Sequence, residues 1–247
     1  MAESTDSKKT AIVQGEFHTS TQDIGALLEE DFEEWDTLLV EGREPVYNLQ
    51  DSKFGFSYYA IGAMFLTTLV LYFHKVVDKL GIAHQDPVEE ANIDSNKRID
   101  AEHREIWGFT NKWFRWTLLL LAGLGSIIIL TQPEEVVSLF DLFFYWFPFR
   151  GWHIYLLFFP ILPGLVHILT IVNPTSSNKR NQVMVENIIE YTRENDYDRA
   201  LILVGEMHRE GVAKGLEEQD WSVETNQTNS RLGKGISWLY NQFGEWE

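Results

Sequence analysis

The chain contains no cysteine, which excludes disulfides, thiolate nucleophiles and cysteine-based zinc sites. Any metal it holds must be ligated by nitrogen and oxygen. Positive charge is also scarce: 20 Lys and Arg stand against 37 Asp and Glu, for a formal net charge of −17. Such a surface repels phosphate, so no nucleic-acid partner is expected. The acidity is spread along the whole polar part of the chain, a distribution suited to a halophilic protein soluble in very high salt. The opening MAESTDSKKT has no apolar run behind it. No secretory signal is therefore expected, and the first domain is expected to start in the cytosol.

With 247 residues the chain has room for one ordinary domain, or for a smaller one with something attached. Its acidic ends flank an apolar middle. Residues 116–131 (WTLLLLAGLGSIIILT) and 152–172 (WHIYLLFFPILPGLVHILTIV) carry no charge and begin at Trp116 and Trp152, as membrane spans with interfacial aromatics do. Pro160 and Pro163 would break a soluble helix but are tolerated in a membrane one. Residues 54–73 can be read as a span or as a buried helix, and 136–149, which include Asp141, as a re-entrant or interfacial segment.

Outside this middle the pattern is α/β. A strand at 11–15, a helix near 21–35 and a strand at 37–42 (TLLVEG) come before it. A helix through Val183, Val185, Ile188, Ile189 and Tyr191, a strand RALILVGEMH (199–208), a helix at 209–219 and a short strand WSVET come after it. The expected fold is an α/β domain with a mixed or mainly parallel sheet and flanking helices, split in sequence by a transmembrane helical insertion. Its parts are an N-terminal half (11–53), a helical segment (54–115), a transmembrane hairpin region (116–173) and a C-terminal half (178–247). Both halves must lie on one side of the membrane, which requires an even number of crossings. Lys112 and Arg115 before the first span, and Lys179 and Arg180 after the second, favour a hairpin with a cytoplasmic α/β domain over four spans.

The chemistry lies in a repetition. AIVQGEFHTS ends a strand in Gly15-Glu16-x-His18, and LILVGEMHREG ends another in Gly205-Glu206-x-His208. If extended backbone continues through each motif, Glu and His share a face, because strand side chains alternate. Glycine allows a sharp turn or a close approach. Placed side by side at the open end of a parallel sheet, where ligands bind, the two strands would gather Glu16, His18, Glu206 and His208. Glu41, ending TLLVE, would join from a third strand.

These segments resemble the TraB/PrgY family, which belongs with the Tiki proteases and the erythromycin-esterase and ChaN-like proteins. VQGEFHTSTQDIGALLEEDFEEWDTLLVEGR resembles the family's opening GxxH motif, helix and glutamate-ended strand, and LILVGEMHREGVAKGLEEQDW its closing GxxH-xxG motif. The likeness covers about residues 11–45 and 182–224. It implies a shared α/β fold and a hydrolytic, peptidase-like site near the membrane. Carried over, the motif positions are Gly15 to His18 with Ser20 beyond, Glu41 with Arg43, and Gly205 to His208 with Gly211. Glu16 departs from the small residue usual in TraB proteins, and Arg43 lies closer to its glutamate than the family's arginine does.

Two mechanisms suit these residues. In one, His18, His208 and Glu41 ligate a divalent metal (Zn, Mn, Co or Fe), with Glu16 or Glu206 left as base. In the other a His–Glu pair activates water without metal. Arg43 would clamp an anionic substrate group or pair with Glu44. RIDAEHREIW (98–107) reads as a solvated helix face, His153 and His167 as structural or functional groups of a span, and Ser20 as a poor serine nucleophile. The leading expectation is a membrane-anchored, metal-dependent hydrolase acting on peptides. The alternative is a non-catalytic membrane protein binding a peptide, metal or haem-like ligand, and a homo-oligomer stays open in either case.

Overall fold

A computed structural model describes residues 8–16, 35–42, 53–79, 96–131 and 153–228. These form five strands and six helices. In chain order they are β1 (Thr10–Glu16), β2 (Thr37–Val40), α1 (Phe54–Lys79), β3 (Asn96–Arg98), α2 (His103–Phe109), α3 (Lys112–Thr131), α4 (His153–Ile171), α5 (Pro174–Glu194), β4 (Arg199–Gly205), α6 (Glu206–Glu217) and β5 (Ser222–Asn226). The helix expected near 21–35, the segment 136–149, and the tail beyond residue 228 lie outside the described residues.

The described residues divide into two compact units. One holds all five strands, α6, and α5 from Ser177; the other holds α1 up to Phe73, α2, α3 and α4.

In the first unit the strands lie in the order β3-β2-β4-β1-β5, and every neighbouring pair is parallel. The expectation of a mixed or mainly parallel sheet thus resolves to a parallel one among the described strands. Parallel sheets are buried on both faces, so their strands read as continuous apolar runs. The central strand β4 does so: Ile202 and Val204 face one side, with Met184 and Ile188 of α5 and Val212 and Leu216 of α6. Leu201 and Leu203 face the other, with Ile12 and Leu38.

Topology fixes where a ligand would sit. From β1 the chain goes on to β2, which lies beyond β4 on one side. From β4 it goes on to β5, beyond β1 on the other. The connections diverge between β1 and β4, so the switch point, where doubly wound sheets open a crevice at the strands' carboxyl ends, falls between the two Gly-Glu motifs.

Three expectations change. β4 stops at Gly205 and α6 begins at Glu206, so the strand does not reach His208. β3 was not expected, and it turns the start of RIDAEHREIW into sheet, with Ile99 fully buried. The segment 54–73 falls within α1 in the helical unit and not in the α/β unit, where the hairpin topology had put it.

In the second unit, α1, α3 and α4 pack through small residues. A Cβ on Gly62 of α1 would run into the Pro163 backbone of α4, and one on Gly125 of α3 would touch Leu162. Tyr59 is fully buried, with its hydroxyl 3.4 Å from His103 Nδ1 and its ring 4.6 Å from that of His167. Large apolar side chains stay exposed on this unit, including Trp113 (80%), Leu120 (63%), Leu121, Leu124 and Ile128 on α3, and Leu165 and Leu169 on α4. Among the described residues no helix is long and apolar enough to cross a membrane, so the expected transmembrane insertion is not found among them.

Candidate functional site

The parallel register brings the two motifs together. Glu16 pairs with Gly205, and Gly15 with Val204. On the other side of β4, Val40 pairs with Leu203, and the Glu41 amide donates to the Leu203 carbonyl at 2.7 Å. Glu16, Glu41 and the Gly205-Glu206-x-His208 motif therefore end three adjacent strands.

Glu41 is held from two directions. Its Oε2 accepts from the Gly205 amide at 2.6 Å, and its Oε1 accepts from Arg180 Nη2 at 2.7 Å. Arg180 is 1% exposed and binds Asp100 through two nitrogens, Nε to Oδ1 at 3.0 Å and Nη2 to Oδ2 at 2.7 Å, while the Asp100 side chain is fully buried. Burial pulls the guanidinium's pKa down, but the carboxylates of Glu41 and Asp100 outweigh it, so the net direction is up. The pairing is thus complete below the ordinary guanidinium pKa and is lost only as pH rises through the raised value.

This overturns two expectations at once. Asp100 is not part of a solvated helix face, and Arg180 is not a juxtamembrane surface charge, since each is the other's buried partner. Arg180 lies one and two helical turns before Met184 and Ile188, on the stripe of α5 that faces the sheet. A cation on a core stripe is costly unless paired, and that placement is the signal in the sequence that was missed.

His208 is 4% exposed, in the first turn of α6. Its Nδ1 lies 2.6 Å from Asn181 Oδ1, and its Nε2 lies 3.9 Å from Glu41 Oε1. The second distance is too long for a hydrogen bond. α6 lies close against α5 because its two glycines allow it: a Cβ on Gly211 would collide with the Asn181 amide, and one on Gly215 would press on Val185 at 2.7 Å.

Glu206 does not join His208. Two residues apart on a helix are about 200° apart, at roughly 3.6 residues per turn, whereas on a strand they would share a face. The Glu206 carboxylate accepts from the Thr228 amide at 2.9 Å and from Arg209 Nε at 3.1 Å. It fills the space where a Gly15 side chain would be, since a Cβ there would collide with Oε2. Gly15 is glycine to admit this carboxylate, and Glu206 ties β1, α6 and the segment after β5 together. His18, Ser20 and Arg43 lie outside the described residues.

His208 and Glu41 together fit part of a metal site. Two ligands at about 2.1 Å from one ion stand roughly 3.0–3.4 Å apart, so His208 Nε2 and Glu41 Oε1 at 3.9 Å need only a small closing movement. The described residues hold no cluster of three or more such side chains. A third ligand would have to come from elsewhere in the chain.

No family model, curated protein or solved structure matches the chain.

Proposed function

We propose that the chain is a membrane-anchored, TraB-like, metal-dependent hydrolase of peptides, with its site at the carboxyl ends of β1, β4 and β2. The observation that carries this reading is the convergence of His208 and Glu41 at the carboxyl ends of β4 and β2, one strand over from the switch point, each fixed by one of two adjacent residues of α5. His208 Nε2 and Glu41 would hold a divalent cation (Zn, Mn, Co or Fe), with His18, two residues beyond the end of β1, as the third ligand. Such an ion, when bound, lowers the pKa of a coordinated water and polarises a carbonyl. Around it, Arg180 holds the Glu41 carboxylate in place, Asn181 orients the imidazole, and Glu16 at the end of β1 is assigned the part of the base. Arg43 is assigned to an anionic group of the substrate. Glu206, committed to Thr228 and Arg209, is assigned a structural part.

Membrane anchoring is supported by the exposed apolar side chains of α3 and α4, since apolar side chains clustered on a surface mark a contact with something apolar. The hydroxyls on these helices point the same way. Ser126 of α3 and Thr170 of α4 each donate to the carbonyl four residues earlier, at 2.8 and 2.7 Å, which leaves neither hydroxyl needing water. On this reading the α/β unit lies on the cytoplasmic side.

A second reading is favoured by one feature. Both oxygens of Glu41 already accept hydrogen bonds, which suits a rigid cleft that binds a peptide, metal or haem-like ligand without turnover.

Metal content of the detergent-purified protein, wild type beside the His18→Ala/His208→Ala double variant, tests the proposal together with a peptide-hydrolysis screen. Near-stoichiometric metal lost in the double variant, with turnover, is the expected result. Metal without turnover would favour the binding protein, and neither metal nor turnover in the wild type would sink the hydrolase.

A further inference from the structure

Arg180 and Asn181 are consecutive on α5, and each holds a different side chain of the proposed site. Arg180 donates to Glu41 Oε1 at 2.7 Å, and Asn181 Oδ1 lies 2.6 Å from His208 Nδ1. Neutral imidazole has one N–H and one lone pair, and the bond made by one nitrogen decides which the other carries. An amide oxygen only accepts, so opposite Asn181 Oδ1 it is Nδ1 that must hold the proton. The nitrogen nearest Glu41 is then the one with the lone pair. The asparagine can take this position because its amide nitrogen fills the space a side chain at Gly211 would occupy.

We propose that Asn181 is a positioning residue, seated by Gly211, that locks His208 in the Nδ1–H tautomer and leaves Nε2 as a base or ligand beside Glu41. The importance of this for hydrolysis rests on the function proposed above, but the tautomer itself does not. In the other tautomer Nε2 would carry a proton, and the pair could neither bind a cation nor accept a proton from water. Partners of this kind, behind a ligating histidine, are worth about 10–100-fold in metal affinity.

The test is the 15N spectrum of histidine-labelled full-length protein in detergent at mildly alkaline pH, with the His208 signals assigned by their loss in His208→Ala. The wild type is expected to show a protonated Nδ1 and an unprotonated Nε2. Asn181→Ala should move His208 toward the Nε2–H form, and Asn181→Asp, which keeps an acceptor, should restore the wild-type pattern. Gly211→Ala should give part of the Ala effect without altering the asparagine, which guards against misreading a folding defect. Titration with Zn(II) should show affinity falling about 10–100-fold in Asn181→Ala and recovering in Asn181→Asp. An Nε2–H tautomer in the wild type, or an unchanged pattern in Asn181→Ala, overturns the proposal. If the tautomer moves as expected while even the wild type binds no Zn(II), the positioning role stands and the metal-dependent hydrolase fails.

Discussion

The two units handle polar and apolar groups in opposite ways. The sheet unit buries polar and charged groups: the side chains of Arg180, Glu41, Asp100, Glu206 and Arg209 are nearly inaccessible and bonded to one another or to backbone, and buried His208 is bonded to Asn181. The helical unit buries Tyr59 with its neighbouring rings and leaves leucine and isoleucine exposed. Each pattern costs free energy in the wrong solvent. Buried charge is tolerable only when paired, and a broad exposed apolar surface only when something apolar covers it. The contrast therefore separates a unit whose polar groups satisfy one another from a unit whose apolar side chains are left without cover among the described residues.

Four substitutions would break or sharpen this contrast. The largest effect is expected from Arg180→Met, which leaves Glu41 and Asp100 buried without their shared cation, at a cost of about 3–5 kcal/mol. Hydrogen exchange should show β2 and β4 losing protection while α3 and α4 keep theirs; equal loss in both units would mean that they are not separate in stability. Next comes Leu120→Asp on α3, expected to cost about 2.5–3.5 kcal/mol near the middle of a bilayer and nearly nothing in water. Retention of that variant in alkali-washed membranes to the wild-type extent would argue against a lipid-facing α3. Third, Gly15→Ala should push the Glu206 carboxylate off the Thr228 amide and cost about 1–3 kcal/mol, seen as a lower urea midpoint. Last, Glu210→Ala removes a partner of Arg209 that is itself 64% exposed. It should change stability by less than about 1 kcal/mol, so a larger loss would show the exposed half of that network to matter.

The sheet was largely legible because three of its strands, β1, β2 and β4, have the apolar character and glycine punctuation that burial on both faces requires. Strands were expected at 11–15, 37–42 and 221–225, and they occupy Thr10–Glu16, Thr37–Val40 and Ser222–Asn226. β3 was not legible, since Asn-Lys-Arg is polar and is a strand only through its pairing with β2. The early start of α6 was hidden for another reason. Gly205 caps it without a side-chain hydrogen bond, so no Ser, Thr, Asp or Asn marked the turn from strand to helix. That one misplacement put Glu206 on the same face as His208. Arg180 was misread because Lys179-Arg180 follows an apolar stretch closely, and a pair of basic residues there resembles a membrane flank until the stripe through Met184 and Ile188 is laid beside it. Gly211 was visible as a motif glycine, but the reason for it, room for Asn181, comes from packing that no local pattern encodes.

The register of β1 with β4, Thr10 against Arg199 at one end and Glu16 against Gly205 at the other, also sets a timetable. A ribosome makes β1 before the apolar helices and its neighbours β4 and β5 after them. Only β2 and β3 have their mutual partner at hand early. Pairing between distant segments is slow and leaves strands exposed meanwhile. The strand β1 must therefore wait until the apolar helices have been made, and the cleft it helps to form cannot exist before then.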